Sequence, residues 1–288
     1  MLALRSILVV DALDEAGLRA ATHSAADAVL IDLASAAVHA DRARARSLAS
    51  RHARAIAAAG RPVVARVSDA RSGELEADLD AVATAGIAAL VLARVEVPQD
   101  VRDIDVATRK REWRAKQEPG GIRLIPGIDS AGGLAALSGI IEAVDRHDAI
   151  ALGAQGLRQA FGQAGGGHAM LEHAMGQAAV TAHAGGLPWI FAGDETLATR
   201  AHDFGAAGVA VRAEAAALGM NALFSLDPLE VEAARATLAA WDRLRRRDGL
   251  VDVVRTDAGG RLFGRREARA ARDLVARAEA IEARERVS

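Results

Sequence analysis

A chain of 288 residues, 51% hydrophobic and 26% charged, is long enough to bury one large core in a single domain. A net charge of −2 with both signs interspersed excludes the electrostatic footprint of a nucleic-acid binder, and no charge-free apolar run of about 18 residues is present to span a membrane. With no Cys and no Tyr, the chain has no disulfide, no thiolate nucleophile or ligand and no phenolic acid.

The opening Met1-Leu-Ala-Leu-Arg5-Ser-Ile-Leu-Val-Val10 predicts a short strand. It lacks the basic leader, long apolar segment and cleavage site of a signal peptide, so a cytoplasmic protein is expected. After this first run at 5–10, β-rich apolar runs recur at 28–32, 62–67, 88–94, 122–128, 149–153, 188–191 and 222–226. Helical patterns lie between them, such as 75–84, 133–144 and 208–218. Strand, helix and strand repeated in this way mean a parallel sheet covered on its faces. Eight such units favour a closed (β/α)8 TIM barrel over an open doubly wound sheet. A dinucleotide-binding fold needs a Gly-rich turn after an early strand, and Asp11-Ala-Leu-Asp-Glu-Ala-Gly17 has none. Gly165-Gly-Gly167 is read as a flexible loop. Farther on, 231–247 reads as a helix whose basic last turn suits its dipole. Thr256-Asp-Ala-Gly-Gly260 is the turn of a hairpin, and 265–286 is a final helix. We expect a barrel over 1–230 and an extension over 231–288 that packs on the barrel or a neighbouring subunit, or serves as a lid.

In such barrels chemistry sits on the loops after the carboxyl ends of the strands. The second strand ends in Asp32, the third in Arg66, and the fourth in Arg94 and Glu96. The fifth ends in Asp129, and the sixth in Gly153-Ala-Gln155. Arg66 closes an apolar run, so its charge needs a partner. Its planar fork suits a ligand carboxylate or, structurally, Asp32 or Glu96. Asp129 stands among small residues, with room for a ligand or a hard cation held by oxygen. It could equally cap the following helix.

An imine-forming route needs a partly desolvated lysine. Lys110 and Lys116 are the only two, both in the charged stretch Thr108-Arg-Lys-Arg-Glu-Trp-Arg-Ala-Lys-Gln-Glu118, which reads as a solvated helix or loop.

In this order the strand ends resemble the HpcH/HpaI aldolase and citrate lyase β-subunit family. Asp27-Ala-Val-Leu-Ile-Asp-Leu33 resembles its second strand, and Pro62-Val-Val-Ala-Arg-Val67 its third. Leu92-Ala-Arg-Val-Glu96 is similar to Leu-Pro-Lys-Val-Glu, and Ile128-Asp-Ser-Ala-Gly-Gly-Leu134 to Ile-Glu-Thr-Ala-x-Gly-Val. Leu152-Gly-Ala-Gln-Gly-Leu157 is similar to Phe-Gly-Ala-Glu-Asp-Leu, and 218–228 to the late Leu-Gly-Phe…Ile-His-Pro segment. The resemblance implies a β/α barrel assembled as a homotrimer or hexamer. It implies Mg²⁺-assisted cleavage or formation of a carbon–carbon bond in small 2-oxo or hydroxy acids, or in their CoA thioesters. It makes Arg66 and Glu96 the catalytic candidates. Arg66, Asp32, Gln155 and Gly153 become the candidates for binding a small acidic metabolite, and Asp129 the metal ligand.

The sequence departs from the pattern at four places. The first metal carboxylate, a Glu in the family, falls on Asp129, and the second falls on Gly156, which has no side chain. The His of His-Pro falls on Asp227, and an acidic pair after the second strand falls on Ala34-Ser35. Gln155, Asp194 and Asp227 are the candidate substitutes, while His168, Glu172 and His173 read as surface residues of an Ala-rich helix. The expectation is a diverged carbon–carbon lyase. The alternatives are a non-catalytic binding or complex subunit on the same scaffold and, last, thioester hydrolysis. An oxygen ligand in the space left by Gly156 would separate the first two.

Overall fold

A computed structural model describes residues 2–35, 39–162, 168–248, 254–255 and 262–286. The chain divides into two compact units, one of residues 4–224 and the other of residues 1–3 with 225–288.

The larger unit is a closed barrel of eight parallel strands in sequence order. They are β1 Ser6–Asp11, β2 Ala28–Asp32, β3 Val63–Val67, β4 Ala89–Leu92, β5 Arg123–Ile128, β6 Ile150–Gly153, β7 Trp189–Ala192 and β8 Gly208–Val211. The helices of this unit are α1 Glu15–Ala20, α2 His39–Ala58, α3 Leu75–Val82, α4 Pro98–Arg114, α5 Ala131–Ala135, α6 Leu137–Ile141, α7 Ala154–Ala160, α8 His168–Gly185, α9 Ala198–Asp203 and α10 Glu214–Leu223. β2 and β4 are buried at every position, which is why they read as unbroken apolar runs rather than alternating ones. Val29 and Ile31 of β2 and Leu90 and Leu92 of β4 join one core with Leu18, Ile56, Leu79, Ile104 and Leu171 of the surrounding helices.

The eighth strand is a correction to the sequence reading. It is Gly208-Val-Ala-Val211, and residues 222–226 instead finish α10 and leave the barrel. The run is only four residues long and leads directly into an Ala-rich helix, so it reads as that helix's first turn. Its glycine is set by closure of the barrel. A Cβ on Gly208 would lie 1.7 Å from the Leu4 carbonyl oxygen, on the segment that leads into β1. Gly208→Ala should therefore pry β8 from β1, costing about 1–3 kcal/mol as overpacking does. An unchanged urea midpoint for that variant would contradict this account of the seam.

In the smaller unit, α11 Pro228–Asp248 and α12 Arg265–Glu285 pack together. Between them β9 Val254–Arg255 pairs antiparallel with β10 Leu262–Phe263. The turn expected at 256–260 and the Gly165-Gly-Gly167 loop lie outside the described residues. No described helix is long and apolar enough to cross a membrane.

Candidate active site

Register brings the polar strand ends together. Asp11 stands beside Asp32 across β1 and β2, and Asp32 beside Arg66 across β2 and β3. Arg66 Nη1 donates to both Asp32 oxygens, at 3.2 and 3.1 Å. Of the two partners the sequence offered, Asp32 is the one used. The Asp32 side chain is 8% exposed and that of Arg66 30% exposed, so the pair is stronger than a surface ion pair. Nε and Nη2 of Arg66 make no hydrogen bond within the described residues. Ser35, one of the two positions where the family carries an acidic pair, ties the first two strand ends instead. Its Oγ donates to Asp11 Oδ2 at 2.9 Å, and its backbone N–H to Asp32 Oδ1 at 3.2 Å.

After β4 the chain turns sharply. Arg94 adopts φ +52°, a left-handed conformation that costs a residue with a side chain about 1 kcal/mol or more. The turn lets Val95 N–H donate to the Gly127 carbonyl of β5 at 3.1 Å. Glu96 faces Arg71 at 3.5 Å, and Arg71 also grips Asp100 at 2.8 Å. Asp100 reaches back to accept from the N–H groups of Glu96 and Val97, which starts α4. Glu96 is thus held at the rim with its side chain half exposed.

Asp129 does not cap the next helix. Ser130 does, accepting from Gly133 N–H at 3.1 Å. Asp129 is free to face the mouth, half-buried. Burial pushes its carboxyl above the usual aspartate range, against the opposing pull of Arg66 and Arg94 and with a smaller push from Glu96. These four residues therefore share one electrostatic neighbourhood.

The β6 end is built tightly against Asp129. A Cβ on Gly153 would stand 2.8 Å from the Asp129 Cβ, and one on Gly156 only 2.4 Å from its carbonyl oxygen. The absent second carboxylate leaves no vacant space, because the Asp129 backbone fills it. Gln155, on the first turn of α7, is exposed and makes no hydrogen bond among the described residues.

The other substitutes are engaged elsewhere. Asp194 is fully exposed and accepts from the Thr196 N–H and hydroxyl, which holds it below the usual range. Asp227 belongs to the smaller unit. Glu172 pairs with Arg200 at 2.8 Å, His173 is exposed, and both lysines are exposed on or just beyond α4.

The donor set does not fit a divalent cation. Asp129 faces two guanidinium groups, Glu96 is held by Arg71 and Asp32 by Arg66, and the Gly156 position is closed. Among the described residues no group of three His, Asp or Glu could hold a metal ion. Restoring the acid by Gly156→Asp should displace Asp129 rather than create a Mg²⁺ site. The expected results are a lower melting temperature and no heat signal on Mg²⁺ titration; a Mg²⁺ site with Asp129 in place would refute the packing argument.

Sequence reasoning named Arg94 as a strand end but did not count it as a site residue, marked Ser35 only as a position where an acid is lost, and passed over Arg71. The cation in Leu-Ala-Arg-Val-Glu was the available signal for Arg94. Its left-handed backbone was not legible, since arginine is not a residue type that favours it.

The fold recurs in known structures. RipC from Yersinia pestis is 24% identical, covering 79% of this chain and 97% of its own, with a TM-score of 0.62. A citrate lyase from Burkholderia xenovorans LB400 is 16% identical, covering 96% and 92%, with a TM-score of 0.67. CitE from Mycobacterium tuberculosis, in complex with magnesium, acetoacetate and coenzyme A, is 18% identical, covering 96% and 100%, with a TM-score of 0.60. Curated protein sequences give no match. The HpcH/HpaI aldolase/citrate lyase model matches residues 5–218, and the chain belongs to that family of carbon–carbon lyases.

Proposed function

We propose that the barrel cleaves or forms a carbon–carbon bond in a small 2-oxo or hydroxy acid, free or as its CoA thioester. The observation that carries this reading is Arg66. It is anchored through one nitrogen to Asp32, and the rest of its fork has no hydrogen-bond partner among the described residues. A guanidinium so placed receives a substrate carboxylate or oxo oxygen. Asp32 positions it, and Gly153 and Gln155, at the end of β6, are our candidates for binding the rest of the acid.

In the cleavage direction a base removes the proton of the substrate hydroxyl, and that O–H pair becomes the new C=O. The electron pair of the breaking C–C bond passes into an enolate, whose carbon then takes up a proton. Glu96, held at the rim by Arg71, is our candidate for the proton transfers. A divalent cation would supply Lewis-acid polarisation of the oxo group, but the residues of this mouth do not fit one.

A second reading is favoured by the closure of the Gly156 position, namely a relative that binds the same acids without turning them over. Purified protein incubated with 4-hydroxy-2-oxo acids, other 3-hydroxy acids and their CoA thioesters, with NMR detection of products, separates the two. Cleavage products supported by wild type and lost in Glu96→Gln carry the first reading; binding without products carries the second. A homotrimer or hexamer is the assembly the family resemblance supports, and light scattering on the purified chain tests it.

A further inference from the structure

We propose that Arg94 and Arg66 form a metal-independent receptor for the adjacent carboxylate and oxo oxygens of the substrate, supplying the positive charge that a divalent cation would otherwise bring. This rests on the lyase reading above and changes what holds its substrate.

Three observations carry it. First, Arg94, just past the end of β4, has no hydrogen-bond or ion-pair partner among the described residues. Arg66 is tied to Asp32, and Arg71 to Glu96 and Asp100. Second, Arg94 is kept at φ +52°, where glycine would be free of strain. A strained backbone carrying an exposed, unpartnered charge at a barrel mouth is a poor stability element and a good ligand contact. Third, the Gly156 position cannot return a carboxylate, because the Asp129 backbone occupies it.

Charge bookkeeping agrees. Two carboxylates and a dication sum to zero, and so do Asp129 and Arg94 once Arg66 is counted with Asp32. Arg66 ends β3 and Arg94 follows the end of the neighbouring β4, the two strands being paired in register as far as Val67 and Leu92, so both arginines stand at the same rim of the barrel. Two oxygens on adjacent carbons, as in a 2-oxo acid, suit a pair of guanidinium forks. When the C–C pair moves into the enolate, charge collects on the oxo oxygen. A fixed guanidinium beside it stabilises that charge without reorganisation. The guanidinium stays protonated throughout and transfers no proton.

Oxalate, which presents oxygens on adjacent carbons as a pyruvate enolate does, is the probe. It is titrated calorimetrically into the full chain in EDTA and again in millimolar Mg²⁺. We expect binding in EDTA, with Mg²⁺ changing the affinity by less than about threefold. Arg94→Gly should weaken binding by about tenfold or more in both buffers, while its melting temperature holds or rises. Arg94→Lys, which keeps the charge without the fork, should recover part of the loss. Binding that requires Mg²⁺ overturns the inference and leaves the lyase reading standing. Full affinity of Arg94→Gly in EDTA removes Arg94 from the receptor, again without touching that reading. No binding in either buffer overturns both.

Discussion

Glu112→Gln is expected to destabilise the barrel by about 3 kcal/mol, although the residue is remote from the mouth's chemistry. Glu112 is fully buried near the end of α4 and accepts from the N–H groups of Gly120 at 2.9 Å and Ile122 at 2.8 Å. It also takes both oxygens' worth of contact from Arg146 Nη2, at 2.8 and 2.6 Å. Arg146 is 1% exposed, and its Nε lies 3.2 Å from Asp105 without the alignment of a hydrogen bond. Removing the Glu112 charge would strand a buried guanidinium. It would also loosen the loop before β5 and the loop before β6, at the barrel end where such contacts serve stability. Burial alone would raise the Glu112 carboxyl, but the backbone N–H bonds and Arg146 outweigh it, and the net shift is downward. A depressed carboxylate contributes stability above its unfolded pKa, about 4.3, and loses it as pH falls through the lower folded value. The gap between wild type and Glu112→Gln, read from urea unfolding, should therefore be full at neutral pH and close in acid. A gap independent of pH would mean the charge is not what the network needs.

Arg66→Ala is expected to lower affinity for oxaloacetate by about 2–3 kcal/mol, roughly 30- to 150-fold, measured calorimetrically. The loss has two sources. The ligand carboxylate loses its fork, and Asp32, with an 8% exposed side chain, is left as an unpaired acid beside it that repels an anion. Arg66→Lys should recover little, because a point charge cannot serve Asp32 and a ligand carboxylate in one plane. Asp32→Asn separates the sources, since it keeps the fork and removes only the anchoring charge. It should bind more tightly than Arg66→Ala. Equal losses in the two would make Arg66 a structural partner of Asp32 and nothing more.

The architecture was legible because buried parallel strands are written as short apolar runs, and β2 matches its expected 28–32 to the residue. The exception, β8, is four residues long and reads as helix, and only its glycine against the Leu4 carbonyl shows why it must be a strand. Strand ends were legible as chemistry because a barrel collects them at one mouth, which placed Asp32, Arg66, Glu96 and Asp129 in advance. Side-chain loyalty within that mouth was not legible. Nothing in the sequence says that Arg66 turns to Asp32, that Ser130 rather than Asp129 caps α5, or that Asp129 packs its backbone onto Gly156. Those outcomes depend on distances between loops far apart in the chain.

Arg66 at this mouth serves carbon–carbon bond cleavage, and product formation from 4-hydroxy-2-oxo acids and 3-hydroxyacyl-CoA substrates tests this most directly. The account predicts NMR-visible cleavage products above the uncatalysed background with wild type and none with Arg66→Ala at equal folded concentration. Products that persist undiminished in Arg66→Ala, or acids that bind wild type yet are never cleaved, would contradict it.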